Sequence, residues 1–304
     1  MELNGVPIED TYAEAFPAAA ARLLITADTP EWARTAAASF TGFATSVIGC
    51  GCEAAIEDGA PAADTPDGRP GVHVLIFAMG KKGLADQVVK RVGQSVLTCA
   101  TTACYDALEG GDAWIKVGGK LRFFGDGFQS SKRIEAALDP AGRGRRLWRI
   151  PVMDGEFLVD HRFRVATAIA GGNFLILGAS PAAALVAAEA AVAAMRRLPG
   201  IILPFPGGLV RSGSKVGSAY KFLKASTNTS YCPTIRGRVE SALPEGTGAV
   251  YEIVIDGLTA PAIAAAMRDG IRAACRPGVL KITAGNYGGR LGKHHFRLRE
   301  ILAS

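Results

Sequence analysis

The sequence predicts an α+β protein made of two ferredoxin-like (split βαβ) lobes, with mostly antiparallel sheets and helices packed on them. Three observations predict it. "ARLLITADTPEWARTAAASFTGFATSVIG" and "NFLILGASPAAALVAAEAAVAAMRRLPGIILPF" both read strand, capped helix, strand. "GVHVLIFAMGKKGLADQVVKRVGQSVLT" and "AVYEIVIDGLTAPAIAAAMRDGIRAACRPGVLKITAG" both read strand then helix, the second closing on a further strand. The two cap-proline pairs recur 151 residues apart and each copy takes roughly 150 residues, the signature of a duplication.

Each element has a local cause. Thr29 before Pro30, and Ser180 before Pro181, are N-caps followed by a proline at the first helical position. The strands follow from apolar runs bounded by turn residues. Each half therefore reads β-α-β-β-α-β, and helices over antiparallel sheets follow. The boundary is expected near the basic segment "PAGRGRRLWRIP", giving lobes 1–148 and 149–304. Overlaying VHVLIFA on YEIVIDG puts Leu75 or a neighbour where the second copy has Glu252. The first copy manages without a carboxylate there.

Composition bounds the class. The chain has 304 residues, 49% hydrophobic and 20% charged, enough for two ordinary domains. Its 34 basic and 28 acidic residues give a net charge of +6, which suits an acidic ligand but does not by itself point to nucleic acid. "MELNGVPIEDTY" carries Glu2, Glu9 and Asp10 and lacks the apolar core of a signal peptide. "PAAALVAAEAAVAAMRR" is interrupted by Glu189, ends in two arginines and is too short to span a bilayer. The six cysteines form no paired C-x-x-C hooks and read as buried free thiols of a cytoplasmic protein. His73, His161, His294 and His295 have no metal-ligand spacing.

Most motifs fail their physical test. In "GGLVRSGSK", Ser214 precedes Lys215, so the lysine and hydroxyl stand in the wrong order for a phosphate loop that hydrolyses nucleotides. A loop offering N–H groups and Lys215 to an anion stays open. "GCGCEA" fits a dinucleotide fingerprint, but the following segment reads as a loop where that fold needs a helix. No Ser nucleophile elbow occurs.

One carboxylate stands out. In "VYEIVID" the strand period puts Val250, Glu252 and Val254 on one face and Tyr251, Ile253 and Ile255 on the other. Glu252 either lines a solvated groove, pairs with an arginine, or is desolvated so that its pKa rises and it can donate a proton near neutrality. "LPFPGGLV", "ASTNTSYCPT" and "TAGNYGGRLG" are Gly- and amide-rich loops expected to border a cleft.

Read together, "LNGVPIEDTYAEAF", "TGFATSVI", "TPDGRPGV", "FFGDGF", "AIAGGNF", "PFPGGLVRSGSKVGS", "ASTNTSYCPT", "YEIVIDGL" and "ITAGNYGGRLG" resemble, in order and over nearly the whole chain, formylmethanofuran–tetrahydromethanopterin formyltransferases. The resemblance implies transfer of a formyl group between methanofuran and N5 of tetrahydromethanopterin. Both act as co-substrates, with no metal and no tightly bound cofactor. It also implies a homo-oligomer (dimer or tetramer) and, in bacteria, membership of a formyltransferase/hydrolase complex, without nucleic-acid or membrane partners. Two features depart from the family pattern. This chain is basic where archaeal relatives tend to be acidic, and "SSKRIEAALDPAGRGRRLWR" is unusually rich in arginine. That segment is a contact for methanofuran's glutamate-bearing tail, a solvated loop, or a contact with a partner subunit.

On this resemblance Glu252 is the catalytic acid, protonating the expelled amine or sharing a proton with the developing oxyanion. Ser212, Ser214 and Lys215 are expected to bind carboxylates or polar edges. Asn228, Tyr231, Asn286 and Tyr287 are expected to read the pterin, Phe205 and Pro206 to form an apolar wall, and Gly207 to bind substrate beside them. A non-catalytic ferredoxin-like scaffold and a folate-using formyltransferase are the alternatives.

Overall fold

The computed structural model describes residues 1–138 and 144–303. In chain order its longer elements are β1 (Tyr12–Thr26), α1 (Pro30–Thr41), β2 (Glu53–Ala60), β3 (Gly71–Ala78), α2 (Lys81–Arg91), β4 (Ala103–Asp106) and β5 (Ala113–Lys116). They continue with β6 (Ser130–Leu138), β7 (Gly144–Val152), β8 (Gly155–Asp160), β9 (Arg162–Gly178), α3 (Pro181–Met195) and β10 (Ala249–Gly257). The last are α4 (Ala260–Ala274), β11 (Val279–Thr283), β12 (His294–Arg297) and α5 (Leu298–Ala303). The protein is mixed α/β. Its chain divides into two compact units, Ala18–Ala168 and Met1–Pro17 with Ile169–Ser304.

In the unit Ala18–Ala168, β1 pairs antiparallel with β3 (Ala19↔Ala78 to Thr26↔Gly71) and on its other side with β4. β2 pairs antiparallel with β3. β8 joins β4 in parallel, and β7 and β6 follow as antiparallel neighbours. Alternate strand residues Leu23, Ile25, Val74 and Ile76 meet Ala33, Ala37, Phe40, Leu84 and Val88 of α1 and α2 in one core.

In the unit of 1–17 and 169–304, β9 lies between β10 (Gly178↔Ala249 to Gly172↔Ile255) and β11 (Leu175↔Thr283), both antiparallel. Ile201–Ile202 edges β10. The strand face bearing Phe174, Ile176, Ile253, Ile255 and Ile282 packs on α3 and α4. Burying each such side chain stabilises the fold by about 1.5–3 kcal/mol. The alanines of α3 let it approach α4 closely: a Cβ on Gly270 would lie 2.6 Å from Met195 Sδ. The expected caps form, with Thr29 Oγ1 accepting from Trp32 N and Ser180 Oγ from Ala183 N. Ser180→Ala should lower unfolding free energy by about 1 kcal/mol, read from denaturant midpoints at unchanged m.

Two expectations need correction, one on the strand after α1 and one on the thiols. "ATSVI" was expected as strand, yet Val47–Cys50 is a short helix capped by Ser46, and the strand is Glu53–Ala60, which runs into the expected loop. The described pairing of β2 is along β3, and its Ala and Gly residues give no apolar alternation to read. The strand β7, which holds residue 148, is laddered to β8 from Val152↔Gly155 to Leu147↔Asp160, and that hairpin's backbone hydrogen bonds hold both strands in one compact unit, while residues 12–15 pair with β12 in the other. Among the free thiols Cys52, Cys104 and Cys275 are buried, whereas Cys50, Cys99 and Cys232 are only half-buried. Residues 139–143 of the Arg-rich segment lie outside the described residues; of its described arginines, Arg145 pairs with Asp160 and Arg149 with Glu156.

Candidate active site

The site is built on the sheet face that α3 and α4 leave uncovered. Because Tyr251, Ile253 and Ile255 point to the helices, the period of two sends Val250, Glu252 and Val254 the other way. Glu252 sits directly across from Leu175, which is flanked on its far side by Thr283. Val210 closes over the edge: its N–H donates to Glu252 O at 2.8 Å, and Glu252 N–H donates to Val210 O at 3.1 Å.

Glu252 is 3% exposed. Its Oε1 accepts the Ser214 hydroxyl at 2.5 Å, while its buried Oε2 has no hydrogen-bond partner among the described residues. No described ion pair reaches it. Burial in this apolar setting pushes its pKa up to about 6, and hydrogen bonds from Ser214 pull partly the other way. The solvated-groove and arginine-paired alternatives are therefore not what the fold builds.

Ser214 is placed by a loop that turns on glycine. Gly213 has φ 76°, and a Cβ there would stand 2.6 Å from Asn228 N, so this loop and the 228 loop touch backbone to backbone. Lys215 and Ser226 then pair in a short antiparallel ribbon. Tyr287 links this loop to a second one: its hydroxyl donates to Ser214 O at 3.1 Å and accepts from Val216 N at 3.2 Å. Asn286 is tied down by Thr11 Oγ1 and Tyr12 O. Tyr231 hydrogen-bonds with Thr283, and burial raises its pKa.

Of the residues expected from sequence, Glu252, Ser214 and Tyr287 are joined by hydrogen bonds. Phe205, Pro206 and Gly207 form the turn leading to Val210, with Gly207 left-handed at φ 66°. Ser212 is exposed, and among the described residues its hydroxyl donates to Gly213 O rather than to the Glu252 group. Asn228 starts the turn that ends at Tyr231.

Sequence reasoning missed Glu14, Asn173 and Thr283. Asn173 is buried; its Oδ1 accepts from Gly285 N at 2.6 Å and its Nδ2 donates to Gly285 O and Gly171 O. A polar residue inside the apolar run "NFLILG" was the available signal. Glu14, inside "YAEAF", is 1% exposed and accepts four backbone N–H groups. Its partners lie more than 270 positions away, which no local pattern encodes. Among the described residues no His, Cys, Asp and Glu group is arranged to hold a metal, and no helix is long and apolar enough to cross a membrane.

Residues 1–152 match the family described as formylmethanofuran-tetrahydromethanopterin formyltransferase, and 155–301 match its proximal lobe. The chain is 54% identical over 305 residues to one of the subunits of the formyltransferase/hydrolase complex of Methylorubrum extorquens, covering 99% of this chain and 97% of that one. It is 51% identical to the formylmethanofuran–tetrahydromethanopterin formyltransferase of Methanosarcina acetivorans, covering 99% and 100%. The crystal structure of the M. extorquens complex with methylofuran superposes with a TM-score of 0.94 at 53% identity, covering 99% and 98%. The Methanosarcina barkeri enzyme gives 0.89 at 51%, covering 99% and 100%. The chain belongs to the formylmethanofuran–tetrahydromethanopterin formyltransferase family.

Proposed function

We propose that this formyltransferase moves a formyl group between the amine of a methanofuran and N5 of a tetrahydromethanopterin, in one-carbon metabolism, with Glu252 handling the proton. The observation that carries the role of Glu252 is its buried carboxyl, pushed up to about 6, with one oxygen on Ser214 and the other unpartnered. N5 attacks the formyl carbon and the carbonyl π pair moves to oxygen. The adduct collapses as the carbon–nitrogen bond to the methanofuran amine breaks. Glu252 gives its proton to that nitrogen and recovers one from N5, so a single proton crosses overall. A carboxyl already poised near 6 transfers a proton with less driving-force mismatch than one at 4.5.

Ser212, Lys215, Asn228, Tyr231, Asn286 and Tyr287 lie on the loops of the same unit, where hydroxyl, amide and ammonium groups can hold the co-substrates. Phe205, Pro206 and Gly207 supply the turn beside the Glu252 strand. The pairing order also supports a duplication of one split βαβ unit. β2-β3-β1-β4 in one unit repeats as Ile201–Ile202, β10, β9, β11 in the other. Register then refines the sequence overlay. Leu24 pairs with His73 as Leu175 pairs with Glu252, so His73 rather than Leu75 holds the equivalent position. The likeness to a subunit of a formyltransferase/hydrolase complex supports assembly with the other subunits of such a complex. A cytoplasmic homo-oligomer without a tightly held cofactor completes the proposal.

The test is direct. Purified chain mixed with formylmethanofuran and tetrahydromethanopterin should change the pterin absorbance as formyl reaches N5. Silence with substrates that a known formyltransferase consumes, and with partner subunits added, would sink the proposal.

A further inference from the structure

A buried carboxylate away from the proton-handling group is held in an unusual way. Glu14 lies on β1, in the same unit as Glu252. Its Oε2 accepts from Tyr287 N at 2.7 Å and Gly289 N at 2.9 Å. Its Oε1 accepts from Leu291 N at 2.6 Å and Gly292 N at 2.5 Å. No described cation pairs with it. Burial opposes its ionisation, but these four donors hold its pKa down at about 2. The loop is shaped to it: Gly288 and Gly289 are left-handed at φ 68° and 73°. A Cβ on Gly292 would lie 2.5 Å from Ala15 O and 2.7 Å from Glu14 Cγ. Such convergent N–H groups form an anion nest, here filled by the protein's own carboxylate.

The consequence runs from loop to site. Tyr287, whose N–H is gripped by Glu14, sends its hydroxyl to Ser214 O and receives Val216 N–H. Ser214 Oγ in turn donates to Glu252 Oε1. We propose that Glu14 is a positioning residue of the transfer site: it fixes the 287–292 loop, so that Tyr287 clamps the 214–216 segment and Ser214 stays on Glu252. This rests on Glu252 being the proton-handling group.

The relay has a signature that plain stability lacks. Ser214's hydrogen bonds favour ionised Glu252, so weakening them raises the Glu252 pKa and carries the protonated, active form to higher pH. The titratable groups facing Glu252 are the phenols of Tyr231 and Tyr287, both raised by burial and neutral in the range concerned. Ser214 and Thr283 are the nearby hydroxyls. Glu14 and the Glu9–Lys281 pair act on those two phenols from the far side.

The experiment is the pH profile of kcat for wild type, Ser214→Ala, Tyr287→Phe, Glu14→Gln and the Glu14→Gln/Ser214→Ala double variant, with amide exchange of residues 285–292. Ser214→Ala should move the descending limb up by roughly one pH unit, the scale of one hydrogen bond to a charged group. Glu14→Gln and Tyr287→Phe should move it in the same direction. The double variant should move no further than Ser214→Ala, because the residues act in one chain. Glu14→Gln should also speed exchange at Tyr287, Gly289, Leu291 and Gly292. A limb unmoved by Glu14→Gln despite faster exchange would reduce Glu14 to a loop support and overturn the proposal. Should Glu14→Gln fail to fold, Tyr287→Phe keeps the nest and tests the same relay, and an unmoved limb there overturns it. Glu252→Gln separates the two levels. A rate within roughly threefold of wild type refutes Glu252 and the relay together, since a general acid–base group supplies far more; a collapsed rate with unmoved limbs refutes the relay alone.

Discussion

Glu252→Gln should lower kcat by about 10²–10⁴-fold, the usual contribution of a general acid–base group. Gln keeps the shape and can still accept from Ser214, so Ser214 stays placed while the transferable proton is gone. KM should change little, because the loop contacts are untouched; the check is steady-state kinetics with both co-substrates varied. The same substitution should stabilise the fold. Burial raises the folded-state pKa of Glu252 from 4.5 to about 6, so the folded state binds the proton more tightly than the unfolded state does. That stabilising contribution is complete below about 4.5 and is lost as pH rises through about 6. Above 6 the buried charge is a cost of about 2 kcal/mol that Gln does not carry. Denaturant unfolding at about pH 7.5 should therefore place Glu252→Gln above wild type, with the gap closing by about pH 4. A variant that loses activity while gaining stability marks a strained functional position. One that loses both would point to a packing role instead.

Glu14→Ala should be the most destabilising single change near the site, by about 3 kcal/mol, because it leaves four convergent N–H groups, that of Gly292 buried and the other three part-buried, without their acceptor. Its pH dependence has the opposite sign to that of Glu252. A carboxyl held at about 2 contributes stability that is present above the ordinary value of 4.5 and is lost as pH falls through about 2. The difference between wild type and Glu14→Ala should be full at about pH 6 and shrink steadily between pH 4.5 and 2. Unfolding midpoints across that window measure it; a gap independent of pH would show that the carboxylate charge contributes nothing.

Much of the scaffold was legible locally. The cap-proline pairs at Thr29-Pro30 and Ser180-Pro181 start α1 and α3 because an N-cap oxygen and a proline at the next position need only adjacent residues. The period of two in YEIVID sent Glu252 to one face, because alternation is a property of the extended chain itself. The edge strand Glu53–Ala60 was missed for the complementary reason. Its strand character comes from hydrogen bonds to β3, and its Ala, Gly and Asp residues carry little preference of their own.

The site divides along the same line. By itself the sequence determined that a carboxylate would stand among β-branched neighbours on a strand, and that Gly-rich loops would accompany it. Only the tertiary structure decided that one oxygen of Glu252 meets Ser214 and that the other has no hydrogen-bond partner among the described residues. It also decided that Tyr287 couples two loops and that Glu14 organises a loop more than 270 residues later in the chain. Strand alternation and helix caps are set by neighbours in sequence, whereas desolvation and the convergence of backbone N–H groups are set by whatever the folded chain brings within a few ångströms.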